Sequence, residues 1–104
     1  MKEYNIIIET LARQDILDIR RYIAETFKEP DIAKRIYEKI NAAIRALDQF
    51  PGRNAVVPDE PYNSLGIRKL LVGNYIAFYI VNEQQKEVRV TRVLYNRRNW
   101  QKLL

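Results

Sequence analysis

A chain of 104 residues, 47% apolar and 30% charged, has the size and make-up of one soluble globular domain with a modest core. It has no cysteine, so neither a disulfide framework nor a thiol nucleophile is available. It has no histidine either, which removes the commonest acid–base near neutrality and the commonest metal ligand; catalysis would fall to Tyr, Lys, Arg or carboxylates. The formal net charge is +5, and all of that excess falls in residues 89–104, which hold Arg89, Arg92, Arg97, Arg98 and Lys102 and no acid. The remaining 13 Lys and Arg are matched by 13 Asp and Glu.

Residues 4–8 predict a short strand, rich in β-branched side chains. Residues 11–27 predict a helix, because Ala12, Ile16, Ile19, Ile23 and Phe27 recur at spacings of three and four and share a face. Pro30-Asp31 marks a break and a helix start. A second helix is expected over residues 32–50, with Ala33, Ile36, Ile40, Ala43 and Leu47 on one face, stopped by Pro51-Gly52. Two amphipathic helices joined by a few residues pack antiparallel. Residues 51–66, punctuated by Pro51, Gly52, Pro58, Pro61 and Gly66, predict a connecting loop long enough to have a role of its own.

The period then changes to that of strands, over residues 67–72, 75–81 and 87–95. Gly73-Asn74 supplies a tight turn and residues 82–86 a looser polar one, so the three strands form an antiparallel meander. The expected fold is α+β, in the order β-α-α-β-β-β, with a helical hairpin on one face of a small antiparallel sheet and the other face free to remain uncovered. Residues 1–104 read as a single domain. In the last strand Val88, Val90, Arg92 and Leu94 alternate with Arg89, Thr91, Val93 and Tyr95, and alternation alone does not place Arg92. The run at residues 6–8 is too short for a signal peptide, and residues 75–81 are too few to span a membrane, so the expectation is a cytoplasmic protein with no membrane partner.

The strand ending Arg89-Val-Thr-Arg-Val-Leu-Tyr-Asn-Arg-Arg-Asn-Trp100 interleaves aromatics with arginines. Such a patch suggests an anionic partner or an anionic site on a protein, on the expectation that salt bridges within the fold leave its charge unmatched. The plainer account is a solvated strand end, with Tyr95 and Trp100 packing the tail onto the sheet. Arg68-Lys69, at the start of the second strand, could approach the last strand and extend the patch, or could simply guard an edge against aggregation. Tyr75, Phe78 and Tyr79 fit strand packing better than a nucleobase-stacking platform. No phosphate-binding loop, dinucleotide fingerprint or metal-spaced ligand set occurs, so no cofactor and no metal are expected.

These residues together resemble the ParE/RelE superfamily of bacterial toxins from type II toxin–antitoxin modules. The resemblance runs through residues 11–23, Ala46-Leu-Asp-Gln-Phe-Pro-Gly52, Gly66-Ile-Arg-Lys-Leu70, Gly73-Asn-Tyr-Ile-Ala-Phe-Tyr79 and Val90-Thr-Arg-Val-Leu-Tyr-Asn-Arg-Arg98. It implies a cognate antitoxin that wraps the toxin, with operator DNA bound only through that antitoxin. It also implies one of two activities, inhibition of DNA gyrase in ParE-like members or ribosome-dependent mRNA cleavage in RelE-like ones; one fold hosts both.

Two positions lean towards ParE. RelE-like ribonucleases typically carry a phosphate-stabilising arginine just after the first residue of the strand matching residues 75–79, where this chain has Ile76. Arg92-Val-Leu-Tyr95 resembles the ParE-type strand end, with Tyr95 in place of a histidine. A tyrosine base would also have to be brought from a pKa of about 10 to about 7, at a cost of about 4 kcal/mol. The expected target-binding surface is therefore Arg68, Arg92, Tyr95, Arg97, Arg98 and Trp100 of a gyrase inhibitor. In the alternative, a ribosome-dependent endoribonuclease acting on mRNA, Lys69 and Arg92 would clamp phosphate while Tyr95 or Arg97 assists proton transfer. A plain basic nucleic-acid-binding module is a third class, recognisable by affinity that falls steeply with salt. An apolar groove between helical hairpin and sheet is the expected dock for an amphipathic helix of the antitoxin.

Overall fold

The computed structural model describes residues 3–96 and 103–104. Strand β1 (Asn5–Ile8) leads into helix α1 (Thr10–Thr26) and helix α2 (Pro30–Arg45). Single 3-10 turns at Ala46–Asp48 and Pro51–Arg53 follow, then β2 (Arg68–Val72), β3 (Tyr75–Asn82) and β4 (Glu87–Tyr95). The helix α2 begins with Pro30 in its first turn, where a missing N–H costs nothing, and with Asp31 at the positive end of the dipole. It ends earlier than the apolar spacing predicts. Phe50 precedes Pro51 and takes φ 50°, ψ 51°, so the helical conformation cannot continue to the proline. The turns at Gly73 and at Lys86, both with positive φ, close the β2–β3 and β3–β4 hairpins.

The helical hairpin covers one face of a four-stranded sheet in the order β1-β4-β3-β2. The three C-terminal strands form the expected antiparallel meander, but β1 pairs in parallel with β4, from Asn5↔Glu87 to Ile8↔Val90, so the sheet is mixed. Connectivity explains this. The strand β2 runs in the same direction as β1, while α1 returns and α2 advances. The chain must therefore recross the sheet before β2 can begin. Residues 51–66 make that crossing over the face opposite the helices, where Val57 and Tyr62 pack with Ile67, Ile76, Phe78 and Leu94. That face is thus covered, and Leu103 and Leu104 add to it. Backbone bonds from Val57 N to the Ile67 carbonyl (2.7 Å) and from Lys69 N to the Ala55 carbonyl (3.2 Å) tie the crossing segment to the outer edge of β2.

The main core, between helices and sheet, gathers Ala12, Ile16, Ile40, Ile44 and Leu47 with Val72, Ala77, Tyr79, Val88, Val90 and Val93. Membership of Val88, Val90 and Val93 breaks strict alternation. A β-bulge between Phe78 and Tyr79 and their β4 partners leaves Thr91 as an extra residue, so Tyr79 faces Val90 while Phe78 faces Arg92. Beyond the bulge, Val93 and Tyr95 point to the helices and Arg92 and Leu94 point away. This places the arginine that alternation left open. Phe27 departs from its expected core face: it lies past the end of α1 and is 61% exposed.

Tyr79 joins the two layers. Its buried hydroxyl donates to the Pro51 carbonyl (2.6 Å) and accepts from Asn54 Nδ2 (3.1 Å), fixing the start of the crossing segment to the sheet. Tyr79→Phe strands both partners with little change in shape. It should lower stability by about 1–3 kcal/mol, read as a drop in urea midpoint at unchanged m-value.

Candidate functional site

The parallel partner β1 covers only positions 87–90 of β4, so the outer edge of β4 from Thr91 onward has no strand beside it. A side chain from α1 fills the gap. Asp15 accepts the Val93 backbone N–H at Oδ2 (2.9 Å) and clasps Arg92 in a two-pronged pair, Nε to Oδ2 at 2.7 Å and Nη2 to Oδ1 at 3.0 Å. The remaining prong, Arg92 Nη1, donates to the Leu103 carbonyl (2.8 Å). The pair is mostly shielded from water, and the hydrogen bond to Asp15 holds the guanidinium above its ordinary pKa. Arg89 lies between Glu9 (3.5 Å) and Glu87 (3.7 Å) in an exposed pair. Both terminal cations among the described residues, Arg89 and Arg92, therefore have acidic partners within the fold, contrary to the expectation that this charge stays unmatched. The partners Glu9 and Asp15 belong to the other end of the chain.

The remaining expected site residues are dispersed. Arg68 donates Nη1 to the Gly52 carbonyl (3.2 Å) and to the Asn54 carbonyl, pinning the crossing segment. It cannot extend a patch on the last strand, because β3 lies between β2 and β4. Lys69, Phe78 and Arg92 form one row across β2, β3 and β4, which sets Lys69 and Arg92 two strand spacings apart, about 10 Å, on the face away from the helices. Tyr95 is on the other face, edge-to-face with Tyr75 at 5.6 Å. Of the two candidate proton-transfer groups, Tyr95 is thus on the opposite side of the sheet from Lys69 and Arg92. Arg97, Arg98 and Trp100 lie outside the described residues. Ile76 is 2% exposed, enclosed by Val57, Ile67, Phe78 and Leu94.

A groove of about 910 Å³ lies between α1, the start of α2 and the ends of β3 and β4. Its floor is apolar, from Ile19, Ile36 and Val93. One end is aromatic: Tyr22 and Phe27, 54% and 61% exposed, meet edge-to-face at 5.8 Å, and Tyr75 and Tyr95 line the same groove. Burial, then the neighbouring Tyr95 and Tyr22 hydroxyls, push the Tyr75 pKa up, so Tyr75 is a neutral ring at physiological pH and no general base. Sequence reading anticipated a groove here but not these rings. The available signal was Tyr22 and Phe27, two large side chains near the end of an amphipathic helix, one of them in register with its buried face. Among the described residues no group of carboxylates has the arrangement of a metal site.

Residues 6–100 match the model of the ParE toxin of type II toxin–antitoxin systems, parDE. No curated protein matches the chain. Among solved structures the chain is similar to one from the chromosomal ParDE TA system of P. aeruginosa, with a TM-score of 0.72 and 21% identity over 89% of this chain and 96% of that one. It is also similar to a chain of the RelBE2 toxin–antitoxin complex from Mycobacterium tuberculosis, with a TM-score of 0.64 and 21% identity over 91% and 93% of the two chains. A third similarity is to the archaeal RelE–RelB complex from Pyrococcus horikoshii, with a TM-score of 0.63 and 17% identity over 92% and 98%. At such identities the structural likeness is one of fold.

The two ion pairs should separate sharply in energy. Asp15→Ala strands a shielded guanidinium and a strand N–H, and should cost about 2–4 kcal/mol of unfolding free energy. Arg89→Ala, at an exposed pair, should cost no more than about 1 kcal/mol. Urea denaturation of the two variants measures both.

Proposed function

Since the chain belongs to the ParE toxin family of type II toxin–antitoxin systems, we propose that it inhibits DNA gyrase through protein–protein contact and is neutralised by a cognate antitoxin. The observation that carries the choice of target is Ile76. Where RelE-like ribonucleases place a phosphate-stabilising arginine, this chain has an isoleucine sealed in an apolar cluster under the crossing segment. An RNA phosphate has no access there, and a charge there would be costly to desolvate.

Two further features favour contact over cleavage. Cleavage by 2′-hydroxyl attack needs a base, an acid and charge stabilisation within hydrogen-bond reach of one reacting centre. Lys69 and Arg92 share one face, Tyr95 occupies the other, and the Arg92 guanidinium is already held by Asp15 and the Leu103 carbonyl. With Arg68 and Arg92 holding the fold together, the target contact falls on Tyr95 and the terminal Arg97, Arg98 and Trp100. Tyr95 also lines the groove proposed to receive an amphipathic helix of the antitoxin. Occupancy of that groove would cover part of the target surface, a direct route to neutralisation. The structural neighbours from ParDE and RelBE systems support the antitoxin as the partner.

Two assays on antitoxin-free protein test the target: gyrase supercoiling of relaxed plasmid, and mRNA integrity in a translating extract. The expected outcome is lost supercoiling with intact mRNA. Codon-dependent cleavage on ribosomes with normal supercoiling would replace this reading with the ribonuclease one. Tyr95→Ala should weaken gyrase inhibition by about tenfold or more, as loss of a central aromatic contact does.

A further inference from the structure

The groove is acidic in a basic protein. The chain carries +5 overall, yet the described residues lining the groove include Asp15, Asp18 and Glu29 and no lysine or arginine. Asp15 is matched by Arg92. Asp18 accepts from the neutral amide of Gln14 (2.8 Å), and Glu29, at the entry to α2, makes no capping bond through its side chain. Both stand exposed at the groove beside the rings of Tyr22, Phe27, Tyr75 and Tyr95. Aromatic faces are electron-rich and attract cations, most strongly where the cation is partly desolvated. Uncancelled carboxylates beside such rings suit a guanidinium, which is planar, stacks on aromatic faces and bonds carboxylates in parallel.

We propose that the antitoxin segment occupying this groove is amphipathic and basic, and that it inserts an arginine at the aromatic end, over Tyr22, Phe27, Tyr75 or Tyr95 and paired with Asp18 and Glu29. The inference rests on the antitoxin reading above and adds the charge and side chain by which the partner is recognised. A purely apolar helix would leave both carboxylates at a dry interface without a counter-charge, and an acidic one would meet them with like charge. A second copy of this chain is the competing basic occupant, since its own terminal arginines have the required chemistry.

The test uses the full-length polypeptide encoded beside this gene, titrated calorimetrically into wild-type protein, Asp18→Asn/Glu29→Gln, and Glu38→Gln as an exposed acid on α2 outside the groove. Both groove acids are at the surface, so circular dichroism should show all variants folded. The groove variant should bind roughly tenfold more weakly and with a shallower salt dependence, while Glu38→Gln binds as wild type. Replacing the partner's arginines singly by leucine should reveal one whose loss costs as much in wild type and nothing further in the groove variant. Equal binding by wild type and groove variant would overturn the inference and leave the antitoxin reading standing. No binding even by wild type would remove the antitoxin reading, and the inference with it. Self-association of wild type, abolished in the groove variant, would assign the groove to a second copy and overturn the proposal.

Discussion

The carboxylate of Asp15 stands where a strand would otherwise be. A nine-residue β4 lies beside a four-residue β1, so more than half of its outer edge lacks a ladder partner. A bare strand N–H in a half-buried position is costly, and a cationic side chain beside it is costlier still. Asp15 satisfies both, taking the Val93 N–H and two prongs of Arg92. The contact joins helix α1 to the sheet over 77 residues of sequence separation. It leaves the second half of α1 standing beside the strand ends without a strand to fill the space. The groove is the consequence, with Asp15 at its inner end and the aromatic rings along its outer part.

The same region shows how one extra residue divides a site. Thr91 is the additional residue of the bulge, and its hydroxyl donates to the Phe78 carbonyl (3.2 Å). Without that shift, Val88, Val90 and Arg92 would share a face and an arginine would enter the core. With it, Arg92 turns away from the helices and Val93 takes its place among the apolar residues. Tyr95 follows Val93 to the groove side, and Lys69 and Arg92 remain on the side covered by the crossing segment. A bulge beside a functional surface commonly re-aims a side chain in this way. Here it sets Tyr95 on the face of the sheet opposite Lys69 and Arg92.

Charge distribution reads differently in three dimensions than along the chain. Arg89 and Arg92 look unmatched along the chain because Glu9 and Asp15, which pair with them, come from the N-terminal strand–helix junction. Of the acids outside those pairings, Asp18 and Glu29 line the groove. A chain of net charge +5 thus has a groove with no lysine or arginine among its described lining residues. Tyr95 lines the groove and precedes the terminal arginines in sequence.

Elements that depend on neighbours within a few residues were legible before any coordinates. The helical hairpin follows from apolar residues at spacings of three and four, the meander from period-two strands, and the turns from Gly73-Asn74 and the polar run before Glu87. The family resemblance rests on these same local signatures, and Ile76 in place of an arginine is a fact of sequence alone. Where side chains meet across the fold, the sequence was silent or misleading. The parallel pairing of β1 depends on the route of residues 51–66 across the sheet. Arg68 is drawn to the Gly52 and Asn54 carbonyls because that route passes beside it. Arg92 could not be assigned a face, since a bulge is a property of two paired strands and not of one. Phe27 satisfies the helical period yet stays exposed, because it lies past the end of α1. Local conformational preference acts over three or four residues and is written into the order of amino acids; register, ion pairing and the shape of a groove arise from contacts between distant segments, and only tertiary packing decides them.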